Sequence, residues 1–268
     1  MYSEHPAFEK PEENAQIWKY MDFTKLVSLL DKRALYFSRL DRLSDKFEGS
    51  FPRVNIEKRN KPLDEDTIKI IKSIFPSYDR DEEMKLHSQV HKEERKIFYI
   101  NSWHINNHES AAMWELYLKS DEGIAIRSRF NRLYNSLDES DRTIWIGKVK
   151  YIDYENDEIP VDNSLKVYFY KRKSFEYENE LRAIAQPPNP ELDYPYHKTE
   201  EFEQILQKQG RLTQGIYINV NLRTLIEAIY VSPKAEEWFY ELVKSISKKY
   251  GLDKEVIQSS LGNKDPLF

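Results

Sequence analysis

The residues best suited to chemistry fall in one short stretch. Phe175 to Ala185 reads as a strand, and alternate residues of a strand share a face. Glu176, Glu178, Glu180 and Arg182 then line one side, while Phe175, Tyr177, Leu181 and Ala183 suit a core. A row of like charges on one face repels itself and needs a reason. Two reasons stand open. Arg182, with Lys171, Arg172 or Lys173, neutralises an exposed sheet face. Alternatively, the carboxylates serve a site, where proximity splits their pKa values and one acts as a base or orients a ligand hydroxyl.

Other charges gather in the loop Asp41 to Pro52. Asp45 and Glu48 bracket Phe47, and Gly49 permits a turn with positive φ. The loop reads either as a capping turn or as part of a polar cleft. Asp45, Glu48, Glu178 and Glu180 are also hard donors of the kind that hold magnesium. His87 with His91, and His104 with His108, have the i, i+4 spacing of two metal ligands on a helix, but neither pair comes with a third ligand motif. Met113, Trp114 and Tyr117 fall on one side of a short helix, Glu109 to Leu118, and read as core. Trp114 or Trp103 has the flat face to stack on a base or a nicotinamide ring.

Several chemistries are absent from the sequence. The 7 glycines form no GxGxxG or GxxxxGK[ST] loop, so the usual phosphate cradles are missing. There is no GxSxG elbow. With no cysteine there are no disulfides, no thiolate zinc site and no Cys nucleophile. The net charge of −5 supplies no overall basic surface for nucleic acid.

The elements that must position these residues follow from pattern. Residues 1–15 read as a polar lead-in, followed by a strand at Ile17 to Tyr20. Asp22 is placed to cap a helix from Phe23 to Leu30, with Leu26, Leu29 and Leu30 on one face. A second strand covers Ala34 to Ser38. Residues 53–96 are highly charged with apolar positions at helical spacing, and read as a helical insertion of two or three helices. Further strands are expected at Lys96 to Trp103, Gly123 to Arg127, Ile144 to Tyr151, Gly215 to Val220 and Ala228 to Val231. A loop holds Pro187, Pro188, Pro190 and Pro195. Pro233 opens a C-terminal helix at about 233–250, which Gly251 ends.

The whole predicts an α+β fold, with a mixed, largely antiparallel sheet and flanking helices. Residues 1–268 are expected to form a single domain carrying the insertion. Hydrophobic residues, at 40%, are enough for a core. The N-terminus lacks a secretory signal, and no apolar run approaches membrane-spanning length. The expectation is a cytoplasmic protein without a membrane partner.

Taken in order, these segments resemble a widespread bacterial family catalogued as a domain of unknown function. The matching residues are Lys19 and Tyr20; Phe37, Ser38, Leu43, Asp45, Phe47, Glu48 and Gly49; Ser110, Met113, Trp114, Tyr117 and Gly123; and Tyr177, Glu178, Glu180, Leu181 and Arg182. Lys46 stands where the family often has proline. The order also resembles NAD-dependent ADP-ribosyltransferases, which open with strand, Leu-rich helix and strand, and end with a strand bearing a catalytic Glu. That resemblance implies NAD as the ligand and a protein or nucleic acid as acceptor, in a toxin or phage-defence setting. It assigns Glu180 or Glu178 as catalytic. Lys19, Tyr20, Ser38, Arg39, Arg182 and Trp114 would meet the NAD, and Asp45, Glu48 and Ser110 would complete the polar cleft. Lys19 stands where such enzymes carry His or Arg. The rivals are a non-catalytic nucleotide- or nucleic-acid-binding module and a metal-dependent nuclease or hydrolase.

Overall fold

The computed structural model describes residues 1–118, 120–137, 142–185 and 213–261. The proline cluster from Pro187 to Pro195 lies outside them. The fold is α+β: a mixed, mostly antiparallel sheet flanked by helices.

The chain opens with β1 (Gln16–Asp22), α1 (Phe23–Lys32) and β2 (Ala34–Arg39). In α1 the buried Leu26, Leu29 and Leu30 form the apolar stripe that lays the helix on the sheet. Arg33, at φ 50, turns the chain from α1 into β2. The charged segment after the loop folds as α2 (Arg53–Asn60), α3 (Glu65–Ile74) and α4 (Arg80–Glu94). Neither α2 nor α3 buries a residue fully.

The centre of the sheet is β3 (Tyr99–Ile105). One of its edges pairs along its length with β8 (Glu180–Ala185). Its other edge is shared. Ile105 and His104 pair with Ile17 and Trp18 of β1, whereas Tyr99 and Ile100 pair with Arg39 and Ser38 of β2. The two strands that flank α1 therefore diverge from a common neighbour, and the sheet forks between them.

Beyond β1 lie β4 (Gly123–Arg129), β10 (Ala228–Val231) and β11 (Glu255–Gln258); beyond β2 lies β9 (Gly215–Asn219). On the other flank β8 pairs with β5 (Ile144–Lys148). Two short parallel strands, β6 (Lys150–Ile152) and β7 (Tyr170–Arg172), stand apart. The helices α5 (Ala111–Tyr117), α6 (Phe130–Ser136), α7 (Leu222–Leu225) and α8 (Glu237–Lys249) complete the described α-helices.

One face of the sheet packs a large core that includes Ile17, Leu35, Phe37, Trp103 and Leu181 together with α1, α6 and α8. The opposite face carries two smaller apolar clusters. One gathers Ile100, Ile184, Tyr168 and Phe169; the other gathers Trp18, Tyr20, Met113 and Trp114. Between them runs a polar belt.

Three expectations need correction. Phe175 and Tyr177 are not in a strand: Lys173–Glu178 is a 3-10 turn, Tyr177 is exposed, and the strand begins at Glu180. Asn179, at φ 36 in the left-handed region, makes the junction. Pro233 does not open the last helix, since Ala235 N donates to Ser232 O across a tight turn and α8 starts at Glu237. Residues 1–15 are more than a lead-in. Ser3 N donates to Ile144 O, and buried Phe8 packs on Phe169 with ring centroids 4.2 Å apart.

Candidate functional site

The fork in the sheet opens a cleft of about 600 Å³, with Lys19 and Tyr20 on one wall, Ser38 on the other and β3 as its back. Strand geometry sorts the side chains. Register pairs Ser102 with Arg182 and His104 with Glu180, so these four share the face of the polar belt. Ser38 is on that face. Arg39, one residue on, is on the other.

Glu180 and Arg182 form the centre. Arg182 donates from Nε to Glu180 Oε1 at 2.7 Å and from Nη2 to Oε2 at 2.9 Å, a bidentate pair made between residues two apart on one strand. Arg182 Nη1 donates to Tyr168 O at 2.7 Å. Ser102 Oγ donates to Glu180 Oε1 at 2.5 Å, and the backbone N–H of Glu180 donates to Tyr151 Oη at 2.9 Å. Burial alone would raise the Glu180 pKa, but Arg182, Lys171 and Ser102 hold it well below the usual carboxylate range. Glu180 is a fixed anion.

Lys171 comes from β7 and joins three carboxylates. Its Nζ lies 2.5 Å from Glu178 Oε2, 2.9 Å from Glu48 Oε1 and 3.6 Å from Glu180 Oε2. Burial disfavours its charge, yet Glu180 and Glu48 more than offset that and raise its pKa. Glu48 Oε2 also sits 2.7 Å from Arg182 Nη2, an ion pair without the alignment of a hydrogen bond. Glu178 differs from Glu180: burial dominates and raises its pKa, with Lys171 only partly opposing. The two acids thus have opposite tendencies, one held ionised and the other readier to carry a proton.

Glu48 reaches the cluster through its loop. Asp45 Oδ1 accepts from Phe47 N, Glu48 N donates to Asp45 O, and Gly49 continues at φ +72. A Cβ on Gly49 would lie 2.7 Å from a Leu40 methyl carbon, so the position demands glycine on two counts.

Lys19 occupies the fork. It is half-buried, donates to Ser102 O at 2.8 Å and lies 5.4 Å from the centroid of the Trp103 ring. Burial, reinforced by Lys25, lowers its pKa to about 7, with Glu180 opposing. Near neutral pH it therefore switches between cation and free amine.

The remaining sequence candidates are distributed as follows. Lys19, Tyr20, Ser38, Glu48, Glu178, Glu180 and Arg182 all line the cleft. Trp114, Ser110, Asp45 and Arg39 do not. Trp114 packs edge-on against Tyr20 at 5.0 Å and donates to Glu109. Ser110 caps α5, and its N–H donates to Tyr20 Oη at 2.7 Å. Both position Tyr20 rather than face a ligand. Asp45 accepts from Arg172 at 3.1 and 2.8 Å. Arg39 is tied to Asp41 and Thr213 O. Glu176, part of the proposed row, is exposed and outside the cluster.

Residues the sequence reading passed over are Ser102, Asn101, Tyr117 as a cleft residue, and Lys171 as the hub. Asn101, Trp103 and His104 line the same cleft, and Asn101 Oδ1, Trp103 Nε1 and His104 Nε2 are buried without hydrogen-bond partners among the described residues. Such atoms suit a polar ligand or water. Among the described residues, no three His, Asp or Glu side chains are arranged to hold a metal ion. The rings of His87 and His91 lie tilted with centroids 5.4 Å apart on α4, while His104 sits in β3 and His108 lies exposed beyond its end. No described helix is long and apolar enough to cross a membrane.

Compared with known protein families, curated proteins and solved structures, the chain matches none.

Proposed function

We propose that the chain is an ADP-ribosyltransferase-like enzyme that takes NAD into the forked cleft and breaks its nicotinamide–ribose bond. The observation that carries this reading is Glu180, an anion held ionised at the back of a cleft with aromatic walls. A carboxylate locked in this state is a poor base. It is well suited to stabilising positive charge, and glycosidic cleavage develops an oxocarbenium-like cation.

The residues present fit NAD. Tyr20 and Tyr117 offer ring edges and faces to the cleft, and Lys19 and Lys25 offer cations for a pyrophosphate. Asn101 Oδ1 and Trp103 Nε1 offer open hydrogen-bonding positions. The acceptor would be an O–H or N–H nucleophile on a protein or nucleic acid, and the setting that of a toxin or phage-defence effector. The metal-hydrolase reading fares worse. Glu48, Glu178 and Glu180 are already in ion pairs with Lys171 and Arg182, and Asp45 is turned to Arg172.

A second reading draws on the same carboxylate. Arg182, Ser102 and Lys171 already engage both Glu180 oxygens. This favours a module that binds a nucleotide without turning it over. One experiment separates the two: thermal melting at millimolar NAD, followed by mass spectrometry for nicotinamide. A rise in melting temperature with nicotinamide release supports the enzyme. A rise without release supports the module, and an unchanged melting temperature sinks both NAD readings.

A further inference from the structure

His104 is a buried titratable group of the cleft that the reading above leaves without a role in the chemistry. It is 6% exposed, lines the cleft and stands opposite Glu180 across the β3–β8 pair. Its Nδ1 lies 2.6 Å from the backbone carbonyl oxygen of Glu178. A carbonyl oxygen only accepts, so Nδ1 carries the hydrogen and donates it. In the neutral ring the other nitrogen is then a bare lone pair. That nitrogen, Nε2, is buried and has no partner among the described residues. Burial also lowers the pKa of the ring, which keeps it neutral at pH 7.

The arrangement has two parts of an oriented base: an unpartnered ring nitrogen on a residue that lines the cleft, and a ring fixed by a second hydrogen bond.

We propose that His104 Nε2 is the proton acceptor for the incoming nucleophile; this rests on the NAD reading. The bond between ribose C1′ and the nicotinamide nitrogen breaks, and its electron pair leaves with neutral nicotinamide. A lone pair on the acceptor oxygen or nitrogen forms the new bond to C1′. The proton from that atom passes to His104 Nε2 and then to solvent. Glu180 stabilises the charge at C1′ and takes no proton. The division of labour follows from the positions: the fixed anion and the free lone pair are cross-strand neighbours on one face.

Two measurements test this. NMR of protein labelled with ¹⁵N-histidine, assigned through the His104→Gln spectrum, is expected to show His104 protonated at Nδ1 and bare at Nε2. A ring protonated at Nε2 instead overturns the proposal. The second measurement compares wild type with His104→Gln, whose side chain still accepts a hydrogen bond but holds no proton. The variant is expected to keep the NAD-induced melting shift while nicotinamide release falls about 10²–10⁴-fold. Release within about threefold of wild type, well short of that range, overturns the base and leaves the NAD reading standing. Wild-type protein that binds NAD without releasing nicotinamide overturns the reaction and this step with it. Should His104→Gln fail to fold, His104→Asn supplies both the assignment and the rate comparison, with the same expected and overturning results.

Discussion

Glu180 and Lys19 show how differently two charges of one cleft behave. Glu180→Gln keeps the shape and removes the anion, leaving Arg182 with Glu48 as its remaining carboxylate. Nicotinamide release is expected to fall by at least about 10²-fold, the loss typical of one electrostatic stabiliser. Because breaking a buried pair exposes its partner's charge, the urea midpoint should fall too, by about 3–5 kcal/mol of stability. Parallel kinetics and urea unfolding measure both; full activity would remove Glu180 from the chemistry. Lys19 contributes through its proton. Its folded pKa is lowered from 10.5 to about 7, so between those values the unfolded chain binds more protons. Stability then rises with pH across that window and bears a constant penalty below it. Lys19→Met is expected to be more stable than wild type at pH 7 and to lose that rise, as read from urea midpoints across the window. Of the expected charged row, only Glu180 and Arg182 were legible from strand alternation, because the strand starts at Glu180 and Glu176 and Glu178 belong to the 3-10 turn before it. Ser102 was not, since a lone serine in a strand carries no mark of a partner 78 residues away.

The elements around the cleft were legible where a period ran unbroken. β1, α1 and β2 follow their apolar spacing closely. The segment before Glu180 did not, because a left-handed Asn179 changes the backbone where the pattern of side chains suggests continuity. Glu178 nonetheless reaches Lys171, from the end of a 3-10 turn instead of from a strand face. The loop that presents Glu48 is the most sensitive of these connections. Gly49→Ala places a methyl 2.7 Å from Leu40 at a φ of +72. The expected cost is about 1–3 kcal/mol in chemical denaturation, typical of a strained backbone position. The same change should displace Glu48 from Lys171 and Arg182. A stability equal to wild type would show that the loop relaxes freely.

At the scale of the whole molecule, composition and the order of strands and helices sufficed for the α+β class. The topology was hidden. That β1 and β2 share one edge of β3 depends on pairings between distant segments, and nothing in local sequence specifies them. The fork is also what brings Lys19, Ser38 and Glu180 into one cleft. It has a consequence for the order in which the protein assembles. Both walls of the cleft come from residues 16–39, a local unit joined by α1. The charged back needs β8 to find β3 across a much longer stretch of chain, and closing that loop costs entropy before it returns any contact. The walls should therefore form before the back. Leu29→Ala in α1 is expected to slow folding, whereas Leu181→Ala in β8 mainly speeds unfolding, as chevron plots of the two variants would show. On that order, Glu180 meets Arg182 and Lys171 only late, and a chain stalled on its way has the shape of a cleft without its charge.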